Sequence, residues 1–163
     1  MEGITINVGC GERIYKEYPP GHKCINVDIR ENLKNVDIIS DVTDLKVFKD
    51  DYCDYILASD ILEHFPISRT RDILKEWKRI LKRGGIIEFR APNLAYICTF
   101  YLQTQNAKKT SWMLYGGQGY KENFHYVGFD RKWLASICKE CGLQEIDYKE
   151  DGPNFIMKVR KLQ

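Results

Sequence analysis

Short runs of β-branched and aromatic residues recur along the chain: "ITINV", "CINVDI", "VDIIS", "CDYILAS", "GIIEFR", "LQEIDYKED" and "NFIMKVRKL". Each reads as a strand. Longer segments between some of them carry a helical period instead. In "ISRTRDILKEWKRILKRGG", Ile73, Trp77, Ile80 and Leu81 fall on one face, Ser68 is the expected cap, and Gly84-Gly85 the expected stop. In "DRKWLASICKECG", Asp130 is the expected N-cap, with Trp133, Leu134, Ile137 and Cys141 facing inward. This alternation predicts an α/β domain, a three-layer sandwich around a seven-stranded, mostly parallel sheet with right-handed crossovers. The last two strands, joined by "DGPN", are expected as an antiparallel C-terminal hairpin.

The early crossovers are shortened. "ERIYKEYPPGHK" contains Pro19-Pro20, and "RENLKN" is too short for a proper helix. Residues 93–129 break the pattern with a helix, "LAYICTFYLQTQ", and then a polar, glycine-containing and aromatic loop, "SWMLYGGQGYKENFHYVGF". A long loop inside a compact domain is commonly a lid or binding loop, and this segment is assigned to substrate.

The length of 163 residues fits a single domain, 1–163. A start almost at the first strand leaves open a domain excised from a longer multidomain chain. No apolar run approaches the roughly 20 residues of a membrane span, and "MEGITINVGCG" lacks the features of a signal peptide, so a cytoplasmic protein is expected. The six cysteines are expected as reduced, mostly buried thiols, including the Cys138/Cys141 pair, which has no second ligand pair to complete a zinc site. A formal charge of +2 without a basic block gives little footprint for nucleic acid.

Gly9 and Gly11 follow the first strand, where absent side chains let a ligand press on the backbone. Asp28 ends the second strand, where a carboxylate can accept from both hydroxyls of a ribose. Asp41 and Val42 follow the third, placed for an adenine amino group and ring nitrogen. The third glycine of a dinucleotide fingerprint is replaced by Ile14, so the ligand is expected to lack phosphates. S-adenosylmethionine, with an adenosine and a sulfonium, meets that description. Acidic residues around the pocket, Asp28, Asp41, Asp44, Asp60 and Glu63, would favour a cation.

Taken in order, "NVGCGER", "NVDI", "SDVTDL", "YCDYILASDILEHF", "ILKRGGIIEFRAPN" and "FHYVGFDRKWLASICKECGLQEID" resemble the class I S-adenosylmethionine-dependent methyltransferases, in the small type 11-like group. The resemblance implies a Rossmann-like fold and S-adenosylmethionine as cofactor. It would place Gly9, Cys10 and Gly11 along the methionine and ribose, Asp28 and Ile29 at the ribose, Asp41 and Val42 at the adenine, and Ser59 and Asp60 beside the methyl group. The opening motifs and "GGQGYKENFHYVGF" look most like methyltransferases of surface-glycan pathways. They imply a sugar or glycan acceptor, for instance a deoxyhexose such as rhamnose, methylated on a hydroxyl.

Transfer to a hydroxyl needs a base, and His125, His64 and Asp60 are the candidates. Trp112, Tyr120 and Tyr126 would contact the acceptor, either as a packed lid or as a platform for a sugar face. No metal site is assigned, since Asp60 and Glu63 alone are too common a spacing. Three alternatives stay open: a small-molecule, lipid or protein methyltransferase, a nicotinamide oxidoreductase, and a non-catalytic cofactor-binding module.

Overall fold

The strands β1 (Gly3–Val8) and β2 (His22–Asp28) run parallel in register, Ile6 opposite Ile25 and Val8 opposite Val27, and begin a seven-stranded sheet. The remaining strands of this computed structural model, which describes residues 2–162, are β3 (Ile38–Ile39), β4 (Cys53–Ser59), β5 (Leu81–Pro92), β6 (Leu143–Asp151) and β7 (Asn154–Lys161). Their order is β3-β2-β1-β4-β5-β7-β6, parallel up to β5, with β7 antiparallel to both of its neighbours. The order reverses between β1 and β4, so a crevice opens at the carboxyl ends of those two strands. Among the described residues no helix is long and apolar enough to cross a membrane.

One face of the sheet is apolar. Ile6, Val8, Ile56, Ala58, Ile87 and Phe89 pack with Ile73, Leu74, Trp77 and Ile80 of α1 (Ile67–Ile80) and with Leu134 and Ile137 of α4 (Arg131–Glu140). Asp130 caps α4 as expected, accepting the Trp133 N–H at 2.7 Å. Trp133 itself is 43 % exposed, against the sequence expectation. The buried stripe runs Leu134, Ile137, Cys138 and Cys141, and Trp133 sits one position off it, its ring 5.7 Å from Phe129.

Two features of α1 also differ from expectation. Its N-cap is Pro66, with no side-chain cap, and Ser68 lies inside the first turn. Nor does the glycine pair end the helix: α1 stops at Ile80, and Gly84, at φ +73°, turns the chain within the irregular start of β5.

The opposite face of the sheet carries buried polar residues, because a chain segment without a helix covers it. Glu88 accepts from the hydroxyls of Tyr18 and Tyr55, each at 2.5 Å. Between β1 and β2, Asn7 donates to the Arg13 carbonyl at 2.8 Å and to Asn26 Oδ1 at 3.0 Å, while Asn26 exchanges hydrogen bonds with the Tyr15 backbone. These two buried amides satisfy backbone groups that a crossover helix would satisfy internally. The shortened early crossovers are therefore real, and Asp44 is exposed and paired with Lys46.

Residues 93–129 form α2 (Leu94–Thr104), then α3 (Ala107–Tyr115) where the sequence reading placed the start of a loop, then an irregular segment. Asn93 and Asn106 cap the two helices by accepting from Tyr96 N–H and Lys109 N–H. All six cysteines are free, and only Cys98 is exposed.

Candidate active site

At the tip of β1, Gly9 holds φ +63°, and a Cβ there would run into the Ile61 side chain, so the turn has room only for glycine. Asp28 ends β2 and is buried. Its Oδ2 accepts the Gly11 N–H at 2.8 Å, and its Oδ1 accepts Arg30 N–H at 3.0 Å and Arg30 Nε at 3.1 Å. Burial alone would raise the Asp28 pKa; the Arg30 donors and the Gly11 N–H outweigh it and hold the carboxyl below its usual range. Burial pushes the Cys10 thiol up to about 12, so it is no nucleophile near neutrality.

Asp41 is exposed, with Oδ1 accepting Thr43 N–H at 2.8 Å. Val42 is buried and pinned through its carbonyl by the Trp77 indole N–H at 2.8 Å. Gly9, Asp28, Ile29, Asp41 and Val42 line one cavity of about 320 Å³ with Ile61 and Tyr126. The sequence thus brings the five strand-tip positions together.

A second cavity, of about 440 Å³, lies over the glycine turn and is lined by Cys10, Gly11, Arg13 and Ser59. A third, of about 520 Å³, is lined by Glu63, His64, Arg90, Trp112, His125 and Asn154. Asp60 and Tyr120 line all three cavities and mark the point where they meet.

Asp60 follows β4 in the left-handed region, at φ +54°. Its Oδ2 accepts from Arg13 Nη1 at 2.7 Å and from Arg90 Nη1, and its Oδ1 accepts from Asn154 Nδ2 at 2.8 Å. With both oxygens engaged and two guanidinium partners, this carboxylate is held in one position. The same pairing offsets part of the acidic charge that the sequence placed around the pocket, since Asp28 and Asp60 both face arginine. Arg30, Arg90 and Asn154 were not singled out from sequence. Arg30 had a local signal, two residues after Asp28; Arg90 and Asn154 reach Asp60 only through the folded sheet.

His64, in the 3-10 turn Leu62–His64, and His125 meet edge to face with ring centroids 4.9 Å apart. Nδ1 of His64 lies 3.1 Å from the Phe124 carbonyl, and Nδ1 of His125 lies 3.2 Å from the Met113 carbonyl. A carbonyl only accepts, so both rings carry hydrogen on Nδ1 and present the Nε2 lone pair. Burial, with His125 adding to it, lowers the His64 pKa, and burial lowers that of His125. Glu63 is fully buried, neither carboxylate oxygen has a partner, and burial pushes its pKa up to about 8. The Glu63 carbonyl accepts Tyr126 N–H at 2.8 Å and so ties the aromatic segment to the β4 tip.

The three aromatic residues expected at the acceptor separate. Trp112 lines only the third cavity and Tyr126 only the first, while Tyr120 reaches all three and stacks under the Arg30 guanidinium, 5.3 Å from its ring centroid.

Residues 6–89 match the family described as methyltransferase domain. No curated protein sequence matches. Among solved structures the chain is similar to a SAM-dependent methyltransferase from Archaeoglobus fulgidus, at TM-score 0.69 and 19 % identity over 98 % of this chain and 86 % of that one. It is also similar to the Burkholderia thailandensis 1,6-didemethyltoxoflavin-N1-methyltransferase with bound S-adenosylhomocysteine, at TM-score 0.69 and 14 % identity over 99 % and 72 %. A third likeness is a Haloferax volcanii putative methyltransferase in complex with the Trm112 activator, at TM-score 0.70 and 11 % identity over 99 % and 84 %.

Proposed function

The chain belongs to the methyltransferase domain family, and on that premise we propose that it moves the methyl group of S-adenosylmethionine to a hydroxyl of a sugar in a glycan or its precursor. The observation that carries this reading is the meeting of three cavities at Asp60 and Tyr120. One cavity has the donors and acceptors for adenosine, one lies over the glycine turn, and one holds unpaired proton acceptors.

The cofactor fits the residues present. Asp28 offers a charged acceptor to the ribose hydroxyls, Ile29 and Val42 give apolar surface to the base, and the missing Cβ of Gly9 lets Ile61 pack against the turn at the cavity wall. When bound, the cofactor supplies an electrophilic methyl group on a sulfonium. Asp60, fixed by Arg13, Arg90 and Asn154, keeps the junction of the cavities in one geometry, which is the main contribution a protein makes to an in-line displacement. The Nε2 lone pair of His125 takes the acceptor proton, with His64 beside it. Residues 93–129 supply the acceptor side: Trp112 gives an aromatic wall suited to the C–H face of a sugar.

Incubation with S-adenosylmethionine and a panel of glycans, nucleotide sugars, small phenols, lipids and peptides, read by mass spectrometry, tests both parts. A methyl increment on a saccharide supports the reading. An increment confined to another class would replace the acceptor and keep the methyltransferase.

A further inference from the structure

We propose that Glu63, His64 and His125 form a binding site for a divalent first-row cation of the manganese-to-zinc range. One ligand atom of each residue lies within 4.8 Å of the others. Glu63 carries the inference: it is fully buried, and both its oxygens are without a hydrogen-bond partner although two imidazoles stand beside it. A buried carboxyl group with both oxygens unpartnered costs free energy unless something occupies the space it faces.

The imidazoles are prepared for the same occupant. Each is held by a carbonyl at Nδ1, Phe124 for His64 and Met113 for His125, which fixes ring orientation and leaves Nε2 as the donor. A histidine oriented by a carbonyl at its other nitrogen is the usual support for a metal ligand. Bond lengths of about 2.0–2.2 Å to a zinc-like ion would need the three groups to close in by a small movement. Two nitrogens and one oxygen suit a borderline ion better than magnesium or calcium, which prefer oxygen alone. Three ligands also leave positions open toward the third cavity, where an acceptor hydroxyl could meet the ion.

The site deepens the proposed methyl transfer and rests on it only for what the ion would do. With the ion bound, His125 would be a ligand rather than a base, and the cation would acidify the acceptor hydroxyl, whose proton would leave to water in the open third cavity. Binding itself can be measured without any acceptor.

The full chain, stripped with EDTA, is titrated separately with Zn²⁺, Co²⁺ and Mg²⁺ by calorimetry and thermal shift, beside Glu63→Gln, His125→Gln and Asp28→Ala. The expected result is one Zn²⁺ per chain, weaker or absent Mg²⁺ binding, and a Co²⁺ spectrum free of thiolate charge-transfer bands. Glu63→Gln and His125→Gln should weaken Zn²⁺ roughly tenfold or more, the least that loss of a ligand should cost when loss of a supporting group costs that much. Asp28→Ala should keep Zn²⁺ and weaken S-adenosylhomocysteine roughly tenfold or more, so the cofactor reading and the ion site fail separately. Absence of Zn²⁺ binding, binding unchanged in both cluster variants, or a thiolate band pointing to the cysteines would overturn the proposal. Melting curves in EDTA establish that each variant is folded, and His125→Gln stands if the buried Glu63 variant is not.

Discussion

Arg30 closes on Asp28 at the rim of the first cavity, guanidinium against carboxylate with Nε 3.1 Å from Oδ1, and lays its other face over the Tyr120 ring. The Asp28 carboxylate is therefore already engaged, and the proposed ribose contact requires a ligand to share or displace Arg30. The Arg30 donors hold the Asp28 carboxyl below its usual range, and Arg30 bridges it to the Tyr120 ring.

Asp28→Ala should weaken S-adenosylhomocysteine by roughly tenfold to a hundredfold, from about 1.5–3 kcal/mol for hydrogen bonding to a charged group. Calorimetric titration checks this. An unchanged affinity would remove Asp28 from the cofactor site.

Gly9→Ala combines a left-handed residue with a collision against Ile61. Gly84→Ala has the same handedness, at φ +73°, with nothing within 4 Å of the added Cβ. The first should cost about 2–4 kcal/mol, a fall of roughly 5–15 °C in Tm, and the second only the conformational share of about 1–2 kcal/mol. Equal losses would mean that Ile61 yields freely and that the turn is not held open by packing.

Stability should fall in acid for an identifiable reason. Burial raises the pKa of Asp28, but Arg30 and backbone donors lower it further. Asp54 behaves alike, with Lys82 and the Ile4 N–H overcoming burial. Glu76 is lowered first by Arg79, against burial. Each depressed carboxyl contributes stability that is complete above its unfolded pKa, 3.8 for the aspartates and 4.5 for Glu76, and is lost as pH falls through the folded value. From these three carboxyls Tm should drop below about pH 4.5, with proton uptake on unfolding. Glu76→Ala, which removes acceptors for Leu45 N–H and Arg79, should cost about 1.5–3 kcal/mol near neutrality and flatten the acid slope.

The strands, with their antiparallel C-terminal hairpin, and the glycine and aspartate positions that line the cavities were legible because both are written locally. β-branched runs mark the strands, and Gly9, Gly11, Asp28, Asp41 and Val42 sit at their tips, where topology alone gathers them. What the sequence hid depends on pairs far apart in the chain. Asp60 looked available as a base, and only the fold brings Arg13, Arg90 and Asn154 to it. His64 and His125 were read separately as candidate bases, and only the fold brings them edge to face beside Glu63. Helix α3 was masked because "AKKTSWMLY" has no strong apolar stripe, burying only Met113. The Asn7–Asn26 pair that replaces a crossover helix has no period to detect.

The separation of Trp112 from Tyr126 gives the sharpest test of how the cavities divide the work. Trp112 lines the cavity of His125 and Glu63, and Tyr126 lines that of Asp28 and Val42. Both rings are exposed, at 64 % and 62 %, so truncating either leaves the core intact. Trp112→Ala should raise KM for the acceptor by roughly tenfold, about one aromatic contact, with S-adenosylhomocysteine affinity unchanged. Tyr126→Ala should do the reverse, weakening S-adenosylhomocysteine and leaving the acceptor KM within about twofold, since twofold is under 0.5 kcal/mol. If both variants shifted the same constant, the two cavities would be one binding site, and the sugar platform would have to be sought at Tyr120, the aromatic ring they share.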